Sequence, residues 1–138
     1  MPDTQPTREQ QRAMHALAKI KEVAERELAK DYKGYAGYAE SLPATIIANG
    51  LGQACATLLA QAKGKSDAHR ELYDHLEDWL CGSNAAVYDR KQLIEAIIKG
   101  NQDQYVRAQF EALAYLTWLK KFAQAQLSKE KGATSDKK

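Results

Sequence analysis

Proline is confined to one end of this chain. Its three prolines stand at positions 2, 6 and 43, and the ninety-five residues after Pro43 contain none. A proline-free stretch of that length leaves helices uninterrupted, and the side chains present favour them. Ala, Leu, Glu, Lys, Gln, Arg and Met, the strong helix formers, make up 80 of the 138 residues, whereas Val, Ile and Thr supply 15. Such a balance disfavours a sheet. The length suits one domain around a single core. The fold expected is all-α, a single compact bundle of five to seven helices.

Cap residues and apolar spacing place the elements. Residues 1–6 read as a disordered lead, 7–127 as the helical domain and 128–138 as a disordered polar tail. Thr7 and Gln10 form a capping-box pattern, and Ala13, Leu17, Ile20, Ala24 and Leu28 follow at helical spacing as the expected buried stripe. Tyr35, Tyr38 and Leu42 keep that spacing to Pro43, where a kink or restart is expected. Asn49-Gly50 is a helix stop. A further helix fits 51–62, with Leu51, Ala54, Cys55, Leu58 and Leu59 facing inward. Ser66 caps the next, whose stripe is Leu72, Tyr73, Leu76, Trp79 and Leu80. A short helix carries Leu93, Ile94, Ile97 and Ile98 inside. The last runs from Asn101 or Asp103 to about Leu127. There Val106, Phe110, Leu113 and Leu116 read as core, and Tyr115, Trp118 and Phe122 as a second apolar stripe facing partly away. That stripe either meets another subunit or is covered by an earlier helix.

The chain carries 20 Lys and Arg against 18 Asp and Glu, a formal charge of +2. The total conceals a pattern: residues 1–65 carry +2, residues 66–89 carry −5 and residues 90–138 carry +5. On the first helix Arg12, Lys19 and Arg26 recur every seven residues, and Lys30 extends the row to roughly 27 Å. Such a row could neutralise phosphates. Equally, Glu22–Arg26 and Lys21–Glu25 could be ordinary ion pairs on a solvated helix. Lys63 and Lys65 flank Gly64, either as a backbone-contacting loop or as a soluble turn.

Catalytic and cofactor patterns are missing. The di-iron bundle signature needs Glu three residues before His, and here those places hold Arg12, Ser66 and Leu72. His69 and His75, six residues apart, point in different directions on a helix. His69 falls on the apolar stripe, and His75 lies among Glu71 and Asp78 on the polar face. CxxC, HExxH and the phosphate-loop motif do not occur. Gly50-Leu-Gly52-Gln-Ala-Cys55 superficially matches a dinucleotide loop but lacks the strand that should precede it. No enzyme activity, metal or cofactor is expected. Nor is a bilayer span or signal peptide, and the two lone cysteines, Cys55 and Cys81, suit a reduced cytoplasmic protein.

The stretch Leu42-Pro43-Ala-Thr-Ile-Ile-Ala-Asn49-Gly50-Leu51-Gly52-Gln53 resembles the small, all-helical subunit of the type III-B CRISPR effector complex, the RAMP-module or Cmr complex. The likeness extends over about residues 8–127. It implies a non-catalytic subunit that stacks into a minor filament beside RAMP-fold backbone subunits and helps hold CRISPR RNA and target RNA in antiviral defence. On that basis Arg12, Lys19, Arg26, Lys63, Lys65 and Arg107 are candidate RNA-backbone contacts. Asp74, Glu77, Tyr115, Trp118 and Phe122 are candidate subunit contacts, the acidic 66–89 segment meeting a basic surface of the next subunit. Leu42, Pro43, Asn49, Gly50, Leu51, Gly52 and Gln53 would shape a helix junction. The implied partners are other subunits of the complex, copies of the chain and the two RNAs. The alternative is an adaptor or regulatory bundle that binds protein alone.

Overall fold

The computed structural model describes residues 5–25, 34–64, 67–82 and 87–127. Six helices follow in order: α1 (Arg8–Glu25), α2 (Tyr35–Asn49), α3 (Leu51–Gln61), α4 (Ala68–Gly82), α5 (Leu93–Lys99) and α6 (Gln102–Gln126). The described residues contain no strand. The all-α bundle is therefore the fold. Leu28, Lys30, Ser66 and the 128–138 tail lie outside the described residues.

Local chemistry sets the ends. Thr7 Oγ1 accepts the Gln10 amide at 3.0 Å, while Gln10 Oε1 accepts the Thr7 amide at 2.7 Å. Asn101 and Gln104 repeat this reciprocal box at the start of α6. Asp67 accepts the His69 amide at 2.7 Å, so a side chain in the described structure caps α4 one residue after the expected Ser66. α2 runs continuously through Pro43 rather than restarting there.

The long α6 is the spine, packed mainly against α1 and α2, while α3 and α4 close the bundle behind α2 and α5 lies on α3 and α4. Tyr35, Leu42 and Ile46 of α2, Leu72, Leu76 and Leu80 of α4, and Leu116 and Leu119 of α6 are buried in one core.

Two expected faces are rotated. On α1 the buried residues are Ala16, Ile20 and Val23, not the Ala13–Leu17–Ala24 line, which is only half-buried. The rotation carries the basic row to the edge of the interface. On α6 the correction is larger: Phe110 is 71% exposed and Val106 44%, while Tyr115 is 0% exposed. Three alanines, Ala108, Ala112 and Ala123, occupy the buried side instead. Small side chains there let neighbouring helices approach α6 closely, and the bulky Phe110 is left outside. Ile98 also points outward, at 73% exposure.

Candidate functional site: a charged seam beneath an open helix face

The seam where α1 meets α4 and α6 is built around one carboxylate. Glu111 is 7% exposed. Its Oε2 accepts Arg12 Nε at 2.6 Å and Trp79 Nε1 at 2.9 Å, and its Oε1 accepts Arg12 Nη2 at 3.0 Å. Arg8 lies 3.4 Å away. Burial disfavours the charged carboxyl, but hydrogen bonds from Arg12 and Trp79, with the charges of Arg12 and Arg8, outweigh it and hold Glu111 below the usual carboxylate range. The hydrogen bond to Glu111 correspondingly raises Arg12. This fork-to-fork pairing is geometrically demanding and strong.

One turn along, His15 bridges the same helices. Its Nδ1 lies 2.6 Å from Tyr115 Oη and its Nε2 lies 2.6 Å from Asp78 Oδ2. Burial lowers the imidazole pKa despite Asp78, and burial pushes the Tyr115 phenol well up. Tyr115 thus stays protonated and donates a hydrogen bond to Nδ1 of a neutral ring, whose Nε2–H donates to Asp78. Lys19 Nζ sits 3.6 Å from Asp78 and 4.0 Å from Glu22. A second tyrosine–histidine chain lies deeper: Tyr35 Oη is 2.6 Å from His75 Nδ1, and His75 Nε2 is 3.3 Å from Glu71. His75 is therefore buried, contrary to its expected place on a solvated face. Its partner Tyr35 lies on another helix and leaves no local trace in the sequence. His69 stacks on Tyr38 with ring centroids 3.9 Å apart.

The Asn49–Gln53 motif forms the junction of α2 and α3. Gly50 adopts φ 92° and ψ 155°, a region open almost only to glycine. A Cβ there would stand 2.9 Å from Tyr105 Oη. The first turn of α3 is capped by α6: Leu51 N–H donates to Gln109 Oε1 at 2.9 Å and Gly52 N–H to Tyr105 Oη at 3.0 Å. Leu42 and Leu51 are buried, Pro43 is half-buried, and Asn49 and Gln53 are exposed.

The candidate contacts thus separate. Arg12 and Lys19 already hold carboxylates, and Arg26 and Lys65 lie outside the described residues. Lys63 is exposed at the end of α3, and Arg107, 58% exposed, lies 3.7 Å from Asp103. Among the proposed subunit contacts, Tyr115 is buried inside the chain, a correction to its expected outward stripe. Trp118 and Phe122 are half-buried with ring centroids 5.7 Å apart, and Trp118 Nε1 donates to Glu9 at 2.7 Å. Asp74 pairs with Arg70 at 2.9 Å. Glu77 is occupied internally, accepting Tyr73 Oη at 3.1 Å and the Leu93 amide at 2.9 Å. With Asp78, Cys81, Gly82 and Lys91 these two acids line an open hollow of about 400 Å³. Lys120 and Lys121, which are not among the candidate contacts, lie on α6 beyond Thr117. No helix of the described residues is long and apolar enough to cross a membrane.

The polar groups of this small helical bundle join its helices to one another. The model of the CRISPR-associated protein family Cas_Cmr5 matches residues 8–126. A curated relative, the CRISPR system Cmr subunit Cmr5 of Thermus thermophilus, is 34% identical over 119 residues, covering 86% of this chain and 95% of that protein. The crystal structure of a CRISPR-associated Cmr5 family protein from the same organism superposes with a TM-score of 0.72 at 32% identity, covering 88% of this chain and 99% of that one. The chain belongs to the Cmr5 family, the small subunits of the type III-B CRISPR Cmr complex.

Proposed function

We propose that this chain is a non-catalytic building subunit of a cytoplasmic type III-B CRISPR ribonucleoprotein, stacking with copies of itself beside RAMP-fold backbone subunits and supporting CRISPR RNA and target RNA. The observation that carries this reading is the use of its reactive side chains as joints. Within a match over residues 8–126, His15, His75 and Glu111 each bond groups on a neighbouring helix or along their own. Side chains so engaged fix a shape. Lys63, Lys65 and Arg107 are its proposed RNA-backbone contacts, joined by Arg26. Arg12 and Lys19 would reach phosphate only by releasing Glu111 and Asp78. Trp118, Phe122 and Asp74 are its proposed subunit contacts, with Glu77 inside the same acidic hollow.

Affinity purification of the tagged chain from its native host tests the reading. A large particle containing RNA supports it. A lone, RNA-free chain from cells that express the other subunits refutes it. Recovery with protein partners but without RNA would instead favour the adaptor reading, to which the internal pairing of Arg12 and Lys19 gives some weight.

A further inference from the structure

The outward side of α6 carries a ring with no core to belong to. Phe110 is 71% exposed, and Val106, one turn earlier, is 44% exposed. At about 100° per residue, Phe110, Thr117 and Lys121 fall on one line opposite the buried Ala112–Leu116–Ala123 side. Thr117 and Lys121 are exposed, and Ala114, between Phe110 and Thr117, is small. Lys121 stands about 16 Å from Phe110 along the axis. Arg107 flanks the ring one turn toward the N-terminus.

Charge on this face is mostly basic, with one exposed α6 carboxylate, Asp103, at its N-terminal end. α6 has two acidic residues, Asp103 and Glu111. Glu111 is turned inward and held by Arg12, and Asp103 sits at the first turn beside Arg107. Beyond it the open face presents Arg107, Lys120 and Lys121 with no exposed carboxylate. A protein helix laid here would need a continuous apolar stripe, yet after Phe110 the line continues through alanine, threonine and lysine. A lone ring between cations is what a single nucleic-acid strand requires: a flat surface for one base and positive charge for the phosphates on either side.

We infer that the outer face of α6 is a single-stranded RNA contact, in which Phe110 stacks on one base, Arg107 meets an adjacent phosphate and Lys121 meets a phosphate further along the strand. The inference rests on the RNA-supporting role proposed above and names the surface and the mode of contact.

Fluorescence anisotropy of a labelled single-stranded oligouridylate, titrated with the full chain over a series of salt concentrations, tests it. Phe110→Ala is expected to weaken binding roughly tenfold with the salt slope unchanged, because a stacked base is lost and no charge is. Phe110→Trp should bind at least as well as the parent. Arg107→Gln should weaken binding and also flatten the plot of log affinity against log salt by about 0.7, one phosphate contact on a single strand. The exposed position of Phe110 leaves the fold intact, and circular dichroism checks this. Binding undiminished by Phe110→Ala overturns this inference while leaving the RNA-supporting role standing. So does a Phe110→Ala chain that binds RNA normally but no longer self-associates in sedimentation, since the face is then a protein contact. If the full chain binds no RNA and the host particle contains none, both the inference and the proposed function fail.

Discussion

Arg12 of the first helix grips Glu111 of the last through two hydrogen bonds, 2.6 and 3.0 Å long, although ninety-nine residues separate them in sequence. Removing Arg12 leaves a buried carboxylate with only Trp79 and the more distant Arg8. Arg12→Ala is expected to lower stability by about 3 kcal/mol, read from urea denaturation. Replacing both partners, Arg12→Met with Glu111→Leu, should recover much of that loss. Equal losses from the single and the double variant would show that the pair does not act as a unit.

The α2–α3 junction should be as sensitive as the core. Gly50→Ala forces a side chain into a backbone region costing about 1–3 kcal/mol and aims it at Tyr105. Tyr105→Phe, which strands the Gly52 amide, should cost about 1–2 kcal/mol. Thermal unfolding of both variants checks this. A Gly50→Ala chain as stable as the parent would refute the junction geometry.

Acid should destabilise the chain in two stages. The folded pKa of His15 lies below its ordinary 6.5, so the unfolded chain takes up that proton first. Its contribution is fully present above 6.5 and is lost as pH falls toward the folded value. Asp78 and Glu111 also have lowered folded values, from 3.8 and 4.5. Their contribution is present above those ordinary values and disappears as pH falls through the folded ones. Melting temperatures measured from neutral to strongly acidic pH should therefore decline in an upper and a lower step. His15→Gln should remove the upper step and, because His15 helps hold Asp78 low, shrink the lower step while leaving the part due to Glu111.

Both thiols should be sluggish. Burial pushes Cys55 and Cys81 up to about 12, so little reactive thiolate forms near neutrality. Native alkylation by iodoacetamide, followed by mass spectrometry, should label the half-buried Cys81 before the buried Cys55 and both far more slowly than the unfolded chain. Rapid labelling of Cys55 would contradict its burial.

Helix ends are readable in this sequence because the side chains that cap them are close neighbours along it. Thr7 with Gln10, Asn49-Gly50, and Asn101, one of two starts open for the last helix, each announce a boundary found in the structure. Helix orientation is not equally readable on α6, whose apolar residues surround the axis. Periodicity ranks Phe110 above Ala112 as a core residue, but close helix packing reverses that order. The seam is half-legible. Spacing locates Arg12 and Lys19 on one face, but Glu111 and Asp78, which engage them, come from distant helices. The same holds for His75 and Tyr35.

The four donor contacts accepted by Glu111 and the two hydrogen bonds of His15 give α1 a property that apolar packing would not. Greasy surfaces tolerate sliding, and Ala16, Ile20 and Val23 alone would permit several seatings. A one-residue slip would break the Arg12 fork and pull His15 from Tyr115 and Asp78 together. The seam therefore works as an indexing device, allowing the first helix a single register. In the stacking proposed above, copies of the chain built to a common gauge in this way would repeat without accumulating error.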